Sequence, residues 1–316
     1  MKISILCIYI ALILSQSDVF AQNIDNVSSL RSHVSEKEIR FFYDNDFFSA
    51  QDYYYTQGIN LQYVHPIIKD NPINFLLIKS GNGNKIYGLS IEHNVFTPSS
   101  IRHEEVLLND HPFSAFMLLK SFVRSKNEKT GDVLSSAFSI GFIGPAAYGK
   151  EMQTSIHRWL KNLLPLGWDH QIQNDLILNY QFSYEKMFVR APGTFHLAGI
   201  ATLNAGTLLD DISAGLQFRV GKFYESSDKK SAFYIYGRSQ VYSNFYDATL
   251  NGGVFNNSNE YVLSPDEINR FTVQHTIGIN IKLRKIALEY FQSFVTKEFN
   301  LGMNHRYGGI SIGYCF

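Results

Sequence analysis

Apolar and polar residues alternate with a period of two along most of this chain. From Phe271 to Leu283 the sequence runs FTVQHTIGINIKL. Phe271, Val273, Ile277, Ile279, Ile281 and Leu283 fall on one face; Thr272, Gln274, Thr276, Asn280 and Lys282 fall on the other. Such alternation predicts β-strands with one apolar and one polar face. The same pattern sets Ile59, Leu61 and Tyr63 against Gly58, Asn60 and Gln62, and Ile286, Leu288 and Tyr290 against Ala287 and Glu289. Twelve strands are predicted: 37–47, 55–65, 84–94, 113–124, 133–143, 171–187, 194–204, 212–223, 231–243, 269–283, 284–296 and 306–316. The seventh carries the faintest pattern. A tilted membrane strand needs about 9 to 11 residues, which these segments supply.

The chain ends YGGISIGYCF, with Ile310, Ile312, Tyr314 and Phe316 alternating with small residues. A terminal Phe on such a segment resembles the closing strand of bacterial outer-membrane barrels. An even number of strands closes the sheet and leaves no unpaired edge in lipid. The expected fold is therefore all-β: a transmembrane antiparallel β-barrel of about 12 strands. A soluble β-sandwich would also alternate, but rarely with the export signal and aromatic load described next.

The N-terminus reads MKISILCIYIALILSQSDVFAQ. Lys2, the apolar run Ile3 to Leu14 and a small residue before Gln22 predict a signal peptide over 1–21. Residues 22–316 then form the barrel domain. The apolar run is shorter than the roughly 20 residues of a spanning helix, and no later run reaches about 18. Cys7 lies in the signal, so Cys315 alone remains and no internal disulfide is expected. Aromatics are 15% of the chain, which suits membrane-interface girdles. Lys+Arg and Asp+Glu both number 28, and this zero balance argues against nucleic acid as a partner. Outer-membrane lipids are the expected surroundings, and no obligate protein partner is inferred.

With both termini periplasmic, the odd-numbered connections face outward: 48–54, 95–112 and 144–170. One segment there breaks the β pattern. Tyr148 to Leu164 places Met152, Ile156, Trp159, Leu160, Leu163 and Leu164 at helical spacing, with Pro165 and Gly167 as the stop. Gln153 and His157 are one turn apart and share a face of this amphipathic extracellular helix. Arg158 and Lys161 add cations that suit lipid phosphates.

At the same rim, residues 41–58 read FFYDNDFFSAQDYYYTQG, setting acids and amides inside an aromatic belt. Asp46 and Thr56 fall on the lumen-side register, and Asn45 falls on the other. Arg40 and Asp44 could simply pair inside the lumen. A carboxylate, an amide, a hydroxyl and the imidazole of His157 can converge here. Oxygen donors of this kind suit Ca²⁺, with Asp46 as the metal ligand. A neutral imidazole beside them can act as general base toward water.

The segments DNDFFSAQDYYYTQG, IEHNVFTPSS, HPFSAFM, IGFIGPAAYGKEMQTSIHRWL and WDHQIQND occur in an order that resembles the lipid A 3′-O-deacylase family of outer-membrane barrels. The resemblance covers roughly residues 38–190. It implies a twelve-stranded barrel whose site lies between the wall and a helix from an outer loop. It puts the family's site residues on Asn45, Asp46, Thr56, Gln153 and His157. It implies that His157 activates water while Ca²⁺, held partly by Asp46, stabilises the oxyanion. The substrate implied is the 3′-linked acyl ester of lipid A, within lipopolysaccharide of the outer leaflet. Some members carry a Lys-rich segment after the Pro-Ser of the third connection. Here Pro98-Ser99 is followed by SIRHEE, leaving Arg102 as the phosphate-binding counterpart and Glu104 and Glu105 to repel phosphate. Two rival readings are a phospholipase A-type barrel esterase and a non-enzymatic structural or transport barrel. The first wants a Ser beside the His, yet Ser155 lies off the His157 face.

Overall fold

The computed structural model describes residues 31, 35–51, 53–81, 83–223 and 231–316. The signal peptide expected at 1–21 lies outside the described residues. Alternation becomes two faces of one closed wall. The strands are β1 (Glu38–Asn45), β2 (Tyr54–Val64), β3 (Asn84–Thr97), β4 (Ser114–Lys126), β5 (Val133–Ile143), β6 (Asp175–Ala191), β7 (Phe195–Gly206), β8 (Leu209–Lys222), β9 (Ser231–Asp247), β10 (Phe271–Leu283), β11 (Ile286–Val295) and β12 (His305–Cys315). Each strand pairs antiparallel with its neighbours in sequence, and β1 closes on β12 from Glu38↔Cys315 to Asn45↔Gly308. All twelve predicted strands are present, including the faint seventh. Among the described residues no helix is long and apolar enough to cross a membrane. The apolar face of the strands is the membrane surface: Ile39, Phe41, Leu61, Ile91, Leu119 and Ile312 all point outward and are exposed.

The inward face is polar and filled. Glu289 accepts from Arg31, Tyr236 and Ser311 at 3.1, 2.6 and 2.9 Å. Glu92 holds Lys120 at 2.8 Å and Ser90 at 3.1 Å. Burial would make each of these carboxylates costly without such partners. Arg40 pairs with Glu38, its Nε 2.9 Å from Oε1, and so does not serve Asp44 as the sequence suggested. The two share the lumen face at alternate positions of one strand, which lets the shorter reach win. A recess of about 80 Å³ remains, lined in part by Glu92, Asn94 and Lys120.

The connections at the β1–β2 end of the barrel knit over its mouth. Tyr261 Oη donates to the Asp110 carbonyl at 2.9 Å and accepts its backbone N–H at 3.1 Å. Asp175 accepts the N–H groups of Phe255 and Asn256 at 2.7 and 3.0 Å. A short helix at Ala248–Asn251 packs Leu250 with Leu263, Ile268, Phe299 and Tyr54. The helix expected at 148–164 is α1 (Gly149–Leu160). It stops before Pro165 because Lys161 turns left-handed at φ 55°.

Candidate active site

The C-terminal end of β1 leads straight into the first group of candidate residues. Asn45 is its last residue, and Asp46 opens the 3₁₀ turn Asp46–Ser49. The Asn45 Oδ1 accepts the Phe47 N–H at 2.7 Å, capping that turn. Its Nδ2 donates to the Thr56 carbonyl at 2.5 Å and to Tyr43 Oη at 3.3 Å. The oxygen thus caps the turn and the NH₂ ties β1 to β2. Asp46 is buried, only 4% exposed.

Thr56 departs from its expected register. Tyr55 pairs with Phe96 and Gln57 with Val95, leaving Thr56 as the extra residue of a β-bulge. Tyr55 still points inward, its hydroxyl donating to Asn94 at 2.9 Å. Beyond the bulge Gly58, Asn60 and Gln62 resume the lumen face, so Thr56 is turned out of it. Its hydroxyl meets that of Thr97 at 3.0 Å, on the outward side of β3. Thr56 thus joins Asn45 outside the wall, a position strict alternation could not give.

The second group arrives on α1, which lies against that same outer side. Gly149 sits so close that a Cβ would fall 2.5 Å from Ala115 on β4 and 2.8 Å from Trp168. Next, Met152 Sδ accepts a hydrogen bond from Gln57 on β2. The helix therefore crosses the wall from β4 toward β2, and β1 comes next in the barrel order. His157 lies five residues beyond Met152, about 7.5 Å along the axis, against a strand spacing of about 4.8 Å. Met152 thus seats the helix beside Thr56, the neighbour of Gln57, and His157 follows five residues on.

Gln153 and His157 are the buried face of α1, at 2% and 9% exposed. The Gln153 Oε1 accepts the Trp168 indole N–H at 2.7 Å. Its amide NH₂ is thereby turned the other way, available as a donor. His157 Nδ1 meets the Leu163 carbonyl at 2.5 Å. A carbonyl can only accept, so Nδ1 carries the hydrogen and Nε2 is left as the basic nitrogen.

The end of α1 and the segment after it present an open apolar surface. Trp159 is 81% exposed, and Leu160, Leu163 and Leu164 are exposed beside it. Arg158 and Lys161 are exposed among them. Arg102 is exposed on the third connection, which is tied to the segment after α1 by Leu166 N–H donating to the Ile101 carbonyl at 2.8 Å. Ser155 is exposed while His157 is buried, so the two do not share a face.

Four contributors lay outside the sequence reading: Trp168, Thr97, Gln57 and His93. His93 Nε2 meets the Ala147 carbonyl at 2.8 Å, holding the lead-in to α1 on the wall. Trp168 and Thr97 both stood in segments already noted, WDHQIQND and IEHNVFTPSS. Their partners come from other elements, and sequence spacing carries no sign of that.

Asp46 offers a buried carboxylate, Asn45 an amide oxygen and Thr56 a hydroxyl, which is the donor chemistry of a hard cation. Among the described residues no group of three or more His, Cys, Asp and Glu gathers as a metal site. A Ca²⁺ ion here would rest on one carboxylate and several neutral oxygens, a set Ca²⁺ accepts.

The sequence profile of the family described as outer membrane protein LpxR matches residues 6–316. Among solved structures, LpxR from Salmonella typhimurium superimposes with a TM-score of 0.76 at 18% identity, over 89% of this chain and 100% of that chain. The β domain of the Bordetella autotransporter Brka gives a TM-score of 0.45 at 8% identity, over 89% of this chain and 99% of that one. Comparison with curated proteins gives no match. A profile match over nearly the whole length, on a closed twelve-stranded barrel, makes this chain a member of the LpxR family of outer-membrane proteins.

Proposed function

We propose that this barrel is a lipid A deacylase that hydrolyses the 3′-linked acyl ester in the outer leaflet, with Ca²⁺ as cofactor. The observation that carries the reading is the inward face of α1. His157 is buried there with Nδ1 tied to a carbonyl, on a helix whose Met152 is held by Gln57, the residue after Thr56. Family membership supports the substrate class.

In this reading His157 Nε2 takes a proton from water as the water oxygen attacks the acyl carbonyl carbon. The protonated imidazole then gives that proton to the departing sugar oxygen. The products are a free fatty acid and a 3′-hydroxyl. Gln153 orients the water or the ester through its NH₂. Asp46, with Asn45 and Thr56, would hold Ca²⁺. When bound, such an ion supplies a Lewis acid for the carbonyl oxygen and its developing charge. Exposed Trp159, Leu163 and Leu164 suit acyl chains, and Arg102, Arg158 and Lys161 suit the phosphates of lipid A.

The test is fatty-acid release from purified lipid A by the detergent-solubilised barrel. His157→Ala should lower kcat by about 10²–10⁴-fold, the usual worth of a general base, while the far-ultraviolet spectrum stays that of a folded barrel. Retained release by His157→Ala would overturn the mechanism.

A further inference from the structure

The connection between β2 and β3 should be a plain periplasmic turn, but residues 65–78 climb the outside of the wall. Ile68 and Leu77 pack on Tyr87, Val123, Phe138 and Tyr180, all outward residues of β3 to β6. Polar contacts fix the segment there. Ser136 Oγ donates to the Ile78 carbonyl at 2.8 Å, and Ser121 Oγ donates to Asn74 Oδ1 at 3.3 Å. Tyr180 Oη donates to the Leu76 carbonyl and accepts the Ile78 N–H, both at 3.1 Å. Ser121 stands five residues in from the end of β4, about 16 Å along the strand at 3.3 Å per residue. With a tilt of about 45°, that is roughly 11 Å of height, within the depth of one leaflet.

The backbone is built for a dry setting. Pro66 and Pro72 open two 3₁₀ turns and bring no N–H of their own. The N–H groups of Ile67 and Ile73 are taken by the side chains of His65 and Asn71 at 3.2 and 3.1 Å. Those of Ile68, Asn71, Asn74, Leu76 and Leu77 bond to carbonyls within the segment. Internal satisfaction of this kind is what a segment in lipid requires. The side chains agree: Phe75 is 81% exposed and Ile67 66%, with Leu76 and Ile78 beside them. They extend the outward apolar band of Ile91, Leu119 and Ile140 toward the periplasm. Lys69 and Lys79 are exposed on the same segment, the complement of phospholipid phosphates.

We infer that residues 66–78 are a membrane-dipping flap that docks phospholipid of the periplasmic leaflet, acyl chains on Ile67, Phe75, Leu76 and Ile78 and phosphates on Lys69 and Lys79. The flap is distinct from the outer-leaflet site and does not depend on the deacylase reading.

The test uses the full mature chain carrying Cys315→Ser, reconstituted in vesicles of phosphatidylethanolamine and phosphatidylglycerol. A nitroxide is attached at Phe75→Cys, with Leu119→Cys as the lipid-facing reference and Lys129→Cys as the periplasmic-turn reference. The flap predicts that the Phe75 label relaxes with oxygen and is shielded from a water-soluble nickel chelate, as at Leu119. Accessibility to nickel like that at Lys129 would overturn it. So would shielding from both reagents, which means burial in protein, or spin–spin broadening, which means that a second copy covers the face.

Discussion

His157 Nδ1 stands 2.5 Å from the carbonyl oxygen of Leu163, six residues further on. The contact exists because α1 ends in a tight reversal. Lys161 N–H bonds to the Arg158 carbonyl at 3.3 Å and Asn162 N–H to the His157 carbonyl at 2.8 Å, the Schellman pattern. A backbone carbonyl thereby does for this imidazole what a carboxylate does in a catalytic triad. It fixes the tautomer and the ring plane.

The reversal needs Lys161 at φ 55°, a conformation that costs a β-branched residue about 1–2 kcal/mol. Lys161→Val should therefore lower kcat by about 10-fold, more than Lys161→Gly, which adopts the turn freely. A KM rise shared by both variants would report loss of the Lys161 cation from the phosphate contacts, whereas equal kcat losses would contradict the role of the turn.

Trp168 is a positioning residue. Trp168→Phe keeps the ring packing against Phe113 but leaves Gln153 Oε1 buried without its donor, a loss of about 1–3 kcal/mol. The expected outcome is a fall in kcat with an unchanged melting profile for the barrel strands. Gly149→Leu should be worse, since any side chain there meets Ala115 and Trp168 and lifts α1 off the wall. Steady-state kinetics beside circular dichroism checks both.

Most of the barrel was legible because period-two alternation follows directly from a wall with lipid on one side and polar groups on the other. The helix α1 announced itself in the same way, by period. Where the candidate residues stand was not legible in the same way. Thr56 was read on the lumen side because alternation cannot register a bulge, and Arg40 was matched to Asp44 because sequence does not rank partners. The end of α1 was set by a left-handed lysine rather than by Pro165. Trp168 was invisible as a partner of Gln153 because their meeting depends on a long connection folding back.

His111 supplies a pH dependence outside the strands. It stacks on Phe96 at 5.5 Å, is flanked by Tyr54, Phe299 and Asp110, and its Nδ1 meets the Pro112 carbonyl at 2.6 Å. Burial pushes its pKa down to about 4 from 6.5, with the Pro112 contact and Asp110 opposing. Between these values the unfolded chain binds the extra proton, so stability rises with pH across the window. The contribution is full above pH 6.5 and lost as pH falls through 4, at most about 3 kcal/mol. The melting temperature should therefore drop from pH 7 to pH 5, and the drop should shrink in His111→Phe, which keeps the stacked ring. An unchanged drop would assign the effect elsewhere, His305 being the neighbouring group.

The central claim is tested most directly by mass spectrometry of lipid A from cells expressing the wild type, His157→Ala or Asp46→Asn, with and without a Ca²⁺ chelator. The account predicts loss of one 3′ acyl or acyloxyacyl mass in the Ca²⁺-replete wild type and intact lipid A in every other arm. Unchanged lipid A in the wild type, with the folded barrel demonstrated in the outer membrane, would contradict it, as would deacylation by His157→Ala.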